Sequence, residues 1–448
     1  LTGGLIISVS GLRGVVGENL DEQVVARYVT AFAAGLPQGL VVVTRDGRPS
    51  GEAFARTIAD VLTAAGFDVL DGAVAATPTT GVLVREHGAV AGIQISASHN
   101  PSQYNGLKLF DAEGKVLSAR LGEAVLRRYQ QGDASLLSGR KGSRIVCNDT
   151  TGQHLKKILA TIDVEAIRAR RFNVLLDSNH GAGAALGRRL LEELGAEVHL
   201  RGETPDGRFE HPPEPLAENL DQVGEQVVAH GADVGFCQDP DADRLAVIDE
   251  QGRYIGEEYT LALCLDHVLR DTPGTVVTNC ATSRMAEEIA ARHGSKLLRT
   301  AVGEANVVEA MIANRAVFGG EGNGGPIDPR VGYVRDSFVG MAQILAAAAA
   351  RKAPVSQLAE ELPRFHMLKT KVELAPSRID AALGALERHF STGRPNRLDG
   401  LRVEWDDRWL LVRASNTEPI VRIIAEAPTQ QEVQELCEQA GRVMGELP

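Results

Sequence analysis

"FNVLLDSNHGAGAALGRRLLEELGAEVHLRG", residues 172–202, reads as an apolar β-rich run, a polar turn, an amphipathic helix, a glycine and a second apolar run. The same order recurs in residues 40–72, "LVVVTRDGRPSGEAFARTIADVLTAAGFDVLDG", and in residues 274–300, "GTVVTNCATSRMAEEIAARHGSKLLRT". The helical parts keep apolar residues three and four apart, as in Phe54, Ile58, Val61 and Leu62. Gly66, Gly195 and Gly294 fall where a helix end favours a left-handed residue. Strand–helix–strand units of this length predict right-handed crossovers between parallel strands. Repetition of the unit predicts three α/β domains with mixed sheets, built on one plan.

The C-terminal stretch departs from that plan. Residues 366–374, 402–415 and 419–427 alternate like half-exposed strands, and 377–390 and 429–447 read as amphipathic helices. An α+β domain is expected there. Polar or Pro/Gly-rich segments at 131–143, 248–258 and 351–357 suggest domains at 1–147, 148–252, 253–357 and 358–448, arranged around a central cleft.

At 448 residues, several domains are the default, and 44% hydrophobic with 24% charged content is ordinary for a globular protein. No apolar run reaches the roughly 20 residues of a membrane span. The alanine-rich "QILAAAAA" (343–350) predicts a packed helix, and the N-terminus reads as a strand and turn, not a signal peptide. Five scattered cysteines without a CxxC argue against a disulfide framework or a zinc site and fit the cytoplasm. A net charge of −12 argues against nucleic-acid binding, and "RARR" (168–171) is read as a solvated helix end.

Four loops carry chemistry. In "ISASHNPSQYNGLKLF" (95–110), Ser98 stands at the mouth of a strand beside His99 and Asn100, with Lys108 ten residues on. A serine is a nucleophile only where a base or an electrophile activates it, and His99 and Lys108 are candidates. In "DPDADR" (239–244), Asp239, Asp241 and Asp243 alternate, so an extended loop turns three carboxylates to one side. That crowding calls for a cation, and oxygen-only ligands suit Mg²⁺. An EF-hand would put Glu250 at its twelfth position, but Arg244 stands where its glycine belongs and the flanks read as strands. "GGEGNGGP" (319–326) offers Glu321 and Asn323 on a glycine-rich turn, without the Gly-Lys-Ser/Thr of a Walker loop. "RASNTEP" (413–419) offers Arg413, Ser415, Asn416 and Thr417, a bidentate cation with neutral donors that suits an oxyanion. One loop per domain, converging on one cleft, points to phosphoryl transfer involving a phosphorylated polyol.

"SASHNP", "DPDADR", "GEGNGG" and "RASNTEP", in that order, resemble the four signature loops of the α-D-phosphohexomutase family, and "SGLRG" (10–14) and "RDGRPSG" (45–51) match as well. The resemblance implies that Ser98 carries a phosphoryl group and that Mg²⁺ is held by Asp239, Asp241, Asp243 and that phosphate. It implies Lys108 as general acid/base, with Arg13 and Arg244 near the reacting phosphate. Glu321 and Asn323 would hold sugar hydroxyls, and Arg413, Ser415, Asn416 and Thr417 the phosphate that is not reacting. The implied reaction moves phosphate between O6 and O1 of a hexose through a 1,6-bisphosphate, which also serves as activator, in a monomer or homodimer whose partner is the hexose phosphate.

Two positions depart from the family pattern. Gly325 stands where many members end the sugar loop in histidine, and Glu304, in "TAVGEANV" (300–307), stands near a position often held by lysine, aspartate or histidine. His180 is read as structural. "VGEANV" with "GEGNGG" resembles a branch assigned as phosphoglucosamine mutases, with a dual phosphomannomutase/phosphoglucomutase as the alternative. Two rivals of other classes are an aspartyl-nucleophile phosphatase using Asp239 and a sugar-phosphate binder without turnover.

Overall fold

The computed structural model describes residues 4–8, 11–132, 140–414 and 420–446. Its first sheet has seven strands in the order Ile6–Ser8, Gly11–Val15, Tyr104–Phe110, Ala91–Ile95, Leu40–Arg45, Asp68–Val74 and Arg144–Val146. Leu40–Arg45 runs parallel to Asp68–Val74, and helix Gly51–Ala64 makes the crossover predicted by the repeat. That helix buries Phe54, Ile58 and Leu62 against Val41 and Val43 of the sheet. Gly66 ends the turn after it at φ +88°, a value that costs an L side chain strain.

The second sheet, ordered Leu245–Asp249, Val234–Gln238, Asn173–Asp177 and Glu197–Arg201, repeats the crossover through helix Ala184–Glu193. The third, ordered Lys296–Thr300, Thr275–Asn279, Phe318–Glu321 and Gly325–Ile327, repeats it through helix Met285–Arg292. Helix Ser337–Arg351, which contains the alanine-rich run, is buried from Ser337 to Ala349. Its Phe338 and Leu345 belong to one apolar cluster with Leu176, Leu190 and Phe236 of the second unit and Leu261, Val276 and Phe318 of the third. The two middle units therefore share a core.

The C-terminal unit is a five-stranded antiparallel sheet, ordered His366–Glu373, Ile420–Ala427, Trp409–Ala414, Leu401–Glu404 and Arg394–Asn396, under helices Ile379–His389 and Gln430–Gly445. The single strand expected over 402–415 is instead a hairpin. Its chain reverses at Trp405–Arg408, where the Trp405 N–H donates to the Arg408 carbonyl at 2.9 Å. Asp406 and Asp407 are the turn-forming residues that interrupt the alternation.

One local rule places three of the four loops. In each α/β unit, a central parallel strand turns at its C-terminal end into an antiparallel neighbour: Ala91–Ile95 into Tyr104–Phe110, Val234–Gln238 into Leu245–Asp249, and Phe318–Glu321 into Gly325–Ile327. The carboxyl ends of such strands are where α/β sheets bind ligands. No helix among the described residues is long and apolar enough to cross a membrane, and the five cysteines are free thiols.

Candidate active site

Ser98 is buried and lies at φ +50°, a left-handed conformation that costs a non-glycine residue about 1–3 kcal/mol unless its surroundings hold it. Arg48 holds it. Its Nη2 donates to the carbonyls of Ser98 (2.7 Å) and Asn100 (2.6 Å), and its Nη1 to those of Pro101 (2.6 Å) and Tyr104 (2.8 Å). Nε is anchored on Asp46 Oδ2 at 3.0 Å, which also accepts from Ser96 Oγ at 2.7 Å. Ser96 Oγ in turn accepts from the Ser98 N–H at 2.8 Å. This network is why the chain folds into a tight knuckle here and not an open turn.

The knuckle aims the Ser98 hydroxyl across the cleft. Ser98 Oγ donates to Asp239 Oδ2 at 2.9 Å and lies 3.2 Å from His99 Nδ1. Burial, then the nearby Arg244 and Arg13, hold the His99 imidazole well below its usual pKa, so it stays neutral. Arg13 Nη1 donates to Asn100 Oδ1 at 2.8 Å, on the same loop.

Asp239, Asp241 and Asp243 are fully buried, and one oxygen from each lies within 4.8 Å of the others. Asp239 Oδ1 accepts the N–H groups of Asp243 and Arg244 at 3.1 Å each, and Ala242 at φ +54° bends the loop. Thr77 of the first unit holds Asp241 twice, through its backbone N–H on the Asp241 carbonyl (2.9 Å) and its hydroxyl on the carboxylate. Lys108 Nζ donates to Asp241 Oδ2 (2.6 Å) and Asp243 Oδ2 (2.7 Å). Asp241 Oδ1 and Asp243 Oδ1 are buried with no hydrogen-bond partner. Two orphaned carboxylate oxygens beside a third carboxylate fit a divalent, oxygen-seeking cation.

The charges pull apart accordingly. Burial, reinforced by Asp241 and Asp243, pushes the Asp239 carboxyl well above its usual range. Burial also works against the Asp243 carboxylate, but Arg335, Lys108 and Arg244 outweigh it and hold its pKa below that range. Burial alone would lower the Lys108 ammonium; Asp241 and Asp243 together override it and keep the lysine charged.

In the third unit, Glu321 Oε1 accepts from Asn279 Nδ2 (2.7 Å) and the Gly303 N–H (3.1 Å), and Oε2 accepts from Arg335 Nη1 (2.8 Å). Asn323 Nδ2 is 3.5 Å from Glu321 Oε2, and its buried Oδ1 has no partner. Glu304 opens helix Glu304–Ala313 and accepts the Arg335 N–H at 2.8 Å. Burial raises its pKa, with Arg335 opposing and Asp243 reinforcing. Behind the loop, Glu258 Oε2 accepts the Ser283 N–H at 3.0 Å, and a side chain at Gly322 would collide with this carboxylate. Burial pushes the Glu258 carboxyl up to about 8 despite Lys369 of the C-terminal unit, whose Nζ is 3.9 Å away.

Arg413 Nε donates to Asp399 Oδ2 at 2.9 Å, and the same oxygen accepts the Val302 N–H at 2.9 Å, beside Gly303 and Glu304. Ser415, Asn416 and Thr417 lie outside the described residues. His180 bonds within its own unit, to the Thr204 carbonyl (2.8 Å) and Glu210 (3.3 Å).

The structure thus brings Ser98, His99, Lys108, Arg13, Arg244 and the aspartate triad together, with Glu321 joined to them through Arg335. Arg244 Nε is 4.0 Å from Asp243 Oδ1. Sequence reading assigned no role to Arg48, although its motif was conspicuous, or to Arg335. A charged pair, Arg335-Asp336, placed directly before a long apolar helix was the available signal for the second.

Comparison with known proteins shows the family and the fold. Family models for phosphoglucomutase/phosphomannomutase match α/β/α domain I at residues 5–135, domain II at 152–252, domain III at 257–365 and the C-terminal domain at 367–442. The chain is 36% identical over 443 residues to the "Phosphoglucomutase/phosphomannomutase" of Thermococcus kodakarensis, covering 97% of each. It is 34% identical over 438 residues to the "Probable phosphoglucosamine mutase" of Methanopyrus kandleri, covering 97% of this chain and 96% of that one. The crystal structure of a phosphoglucomutase/phosphomannomutase family protein from Burkholderia thailandensis superposes with a TM-score of 0.87 at 27% identity, covering 98% of both chains. Fold and site together define a phosphotransferase of the isomerase class. The chain belongs to the phosphoglucomutase/phosphomannomutase family, the phosphohexomutases.

Proposed function

We propose that this chain interconverts hexose 6-phosphate and hexose 1-phosphate with Ser98 as the phosphoryl carrier. The observation that carries the reading is the Ser98 hydroxyl, held in a strained knuckle and aimed at the aspartate triad. The phosphoserine donates its phosphoryl group to the free sugar hydroxyl, and the resulting 1,6-bisphosphate turns over and returns its other phosphate to Ser98.

Asp239, Asp241 and Asp243 would hold Mg²⁺ together with the serine phosphate, and the ion would neutralise charge on the transferring group. Lys108, kept charged between Asp241 and Asp243, would give a proton to the leaving oxygen and take one back in the reverse half. The neutral His99 orients the serine. Arg13 and Arg244 add positive charge at the reacting phosphate. Glu321 and Asn323 accept and donate to sugar hydroxyls, and Arg413, with Ser415, Asn416 and Thr417, grips the far phosphate. The reading places the enzyme in the cytoplasm, as a monomer or homodimer.

Glucosamine phosphate is the first substrate reading, supported by relatives such as the Methanopyrus kandleri protein. A second reading, glucose and mannose phosphates, is favoured by one observation: Glu304 and Glu321 are both paired with Arg335, leaving no carboxylate dedicated to an ammonium. Coupled assays on a panel of hexose 1-phosphates with a trace of bisphosphate test both. A tenfold advantage for glucose or mannose phosphate selects the second, and no turnover on any sugar rejects the mutase reading.

A further inference from the structure

Gly325 closes the sugar loop, and a side chain there would run into the aliphatic stem of Arg335. The missing side chain is what gives Arg335 its room. Arg335 comes from the loop ahead of helix Ser337–Arg351, whose capping residue Asp336 accepts from the N–H groups of Phe338 and Val339 and pairs with the buried His154 at 2.7 Å. The arginine is therefore rooted in the shared core of the middle units.

From that root the guanidinium meets three carboxylates. Nη1 is 2.8 Å from Glu321 Oε2, Nη2 is 2.8 Å from Asp243 Oδ2, and Nε is 3.5 Å from Glu304 Oε2. The Arg335 side chain is 10% exposed, Glu304 9% and Glu321 5%. Charges so little exposed are weakly screened by salt, so their balance is felt by any charged group that enters beside them. With Arg335 in place, both oxygens of Glu321 and of Glu304 face a partner within the chain.

Building on the hexose-phosphate reading above, we propose that Arg335 is a specificity-determining residue. It balances Glu304 and Glu321 so that the sugar-reading surface serves neutral hydroxyl groups and offers a ring ammonium no unpaired carboxylate. Coulomb attraction has no fixed hydrogen-bond axis and depends on distance, so the balance acts on a sugar in either orientation without a dedicated contact. Arg335 thus limits how far the enzyme favours an amino sugar over its hydroxyl counterpart.

The test is the ratio of kcat/KM for glucosamine 6-phosphate to that for glucose 6-phosphate, at saturating Mg²⁺, in the wild type and in R335M, E304Q and R335M/E304Q. A merely structural loss lowers both rates and leaves the ratio alone. The proposal expects R335M to raise the ratio by about tenfold or more, and E304Q to lower it by about threefold or more. The charge-balanced double variant should return to within about threefold of wild type. If R335M does not fold, E304Q and the double variant carry the comparison. Turnover with an unmoved ratio in every folded variant overturns the proposal alone. No turnover of either sugar by the wild type overturns the hexose-phosphate reading, and the proposal with it.

Discussion

Asp239 Oδ2 accepts a hydrogen bond from Ser98 Oγ at 2.9 Å, joining two residues 141 apart in the chain, on loops that leave different sheets. The contact sets the proposed phosphoryl carrier against the aspartate triad. Ser98→Ala removes the hydroxyl proposed to carry the phosphoryl group in both half-reactions, so kcat should fall by orders of magnitude. Intact-mass measurement of the wild type should show one phosphate that the variant lacks. A variant with near-normal turnover would refute the phosphoserine mechanism.

The orphaned oxygens of Asp241 and Asp243 make a second prediction. Excess chelator should abolish activity, and Mg²⁺ should restore it, with Mn²⁺ as a weaker substitute. Asp241→Asn should weaken metal binding in a titration read by fluorescence or calorimetry. Full activity in excess chelator would remove the triad from the mechanism.

Arg48 gives a stability prediction. Its guanidinium is fully buried with Asp46 and bonds four carbonyls of the serine loop. Arg48→Met leaves the buried Asp46 without its cation, and breaking a buried pair in this way costs about 3–5 kcal/mol. Thermal unfolding should register the loss, and serine phosphorylation should fall with it because the φ +50° knuckle is no longer held. Unchanged values on both counts would show that the knuckle supports itself.

Glu258 gives a pH prediction. Its folded-state pKa is raised from 4.5 to about 8, chiefly by burial, with Lys369 opposing and Glu257 and Glu426 reinforcing. The stability it contributes is therefore fully present below its unfolded pKa and lost as pH rises through about 8. At about 1.4 kcal/mol per unit, the loss is on the order of a few kcal/mol. Glu258→Gln should melt with the wild type at pH 5 and above it at pH 9. Parallel melting curves across that range would count against the shift.

Arg413 gives the last. Arg413 Nε holds Asp399, and Arg413→Lys would lose the proposed two-pronged grip on phosphate, so KM should rise strongly while Ser98 remains phosphorylated. An unchanged KM would reduce the arginine to a strand-end residue.

The crossovers were legible in the sequence because each repeat carries a complete local signal: an apolar run, a turn, a helix with a 3.6-residue period, and a closing glycine such as Gly66. Three site loops were legible because small and polar residues follow the ends of buried strands, as Ser98, Asp239 and Gly322 do. The Trp405–Arg408 reversal was hidden because the alternation resumes in phase after Asp406 and Asp407. Arg335 was hidden for a deeper reason. Its partners Asp243, Glu304 and Glu321 come from three separate segments, and only packing of helix Ser337–Arg351 brings them to one guanidinium.

That helix has a consequence for how such a chain changes over generations. Phe338 and Leu345 fill a core whose other walls are Leu176 and Phe236 on one side and Leu261 and Phe318 on the other. A recombination joint between Asp249 and Glu257 would give each descendant half of that core, facing an unmatched half from another parent. The two middle units should therefore travel as a single module, since a joint ahead of the pair removes only Ala76 from this core.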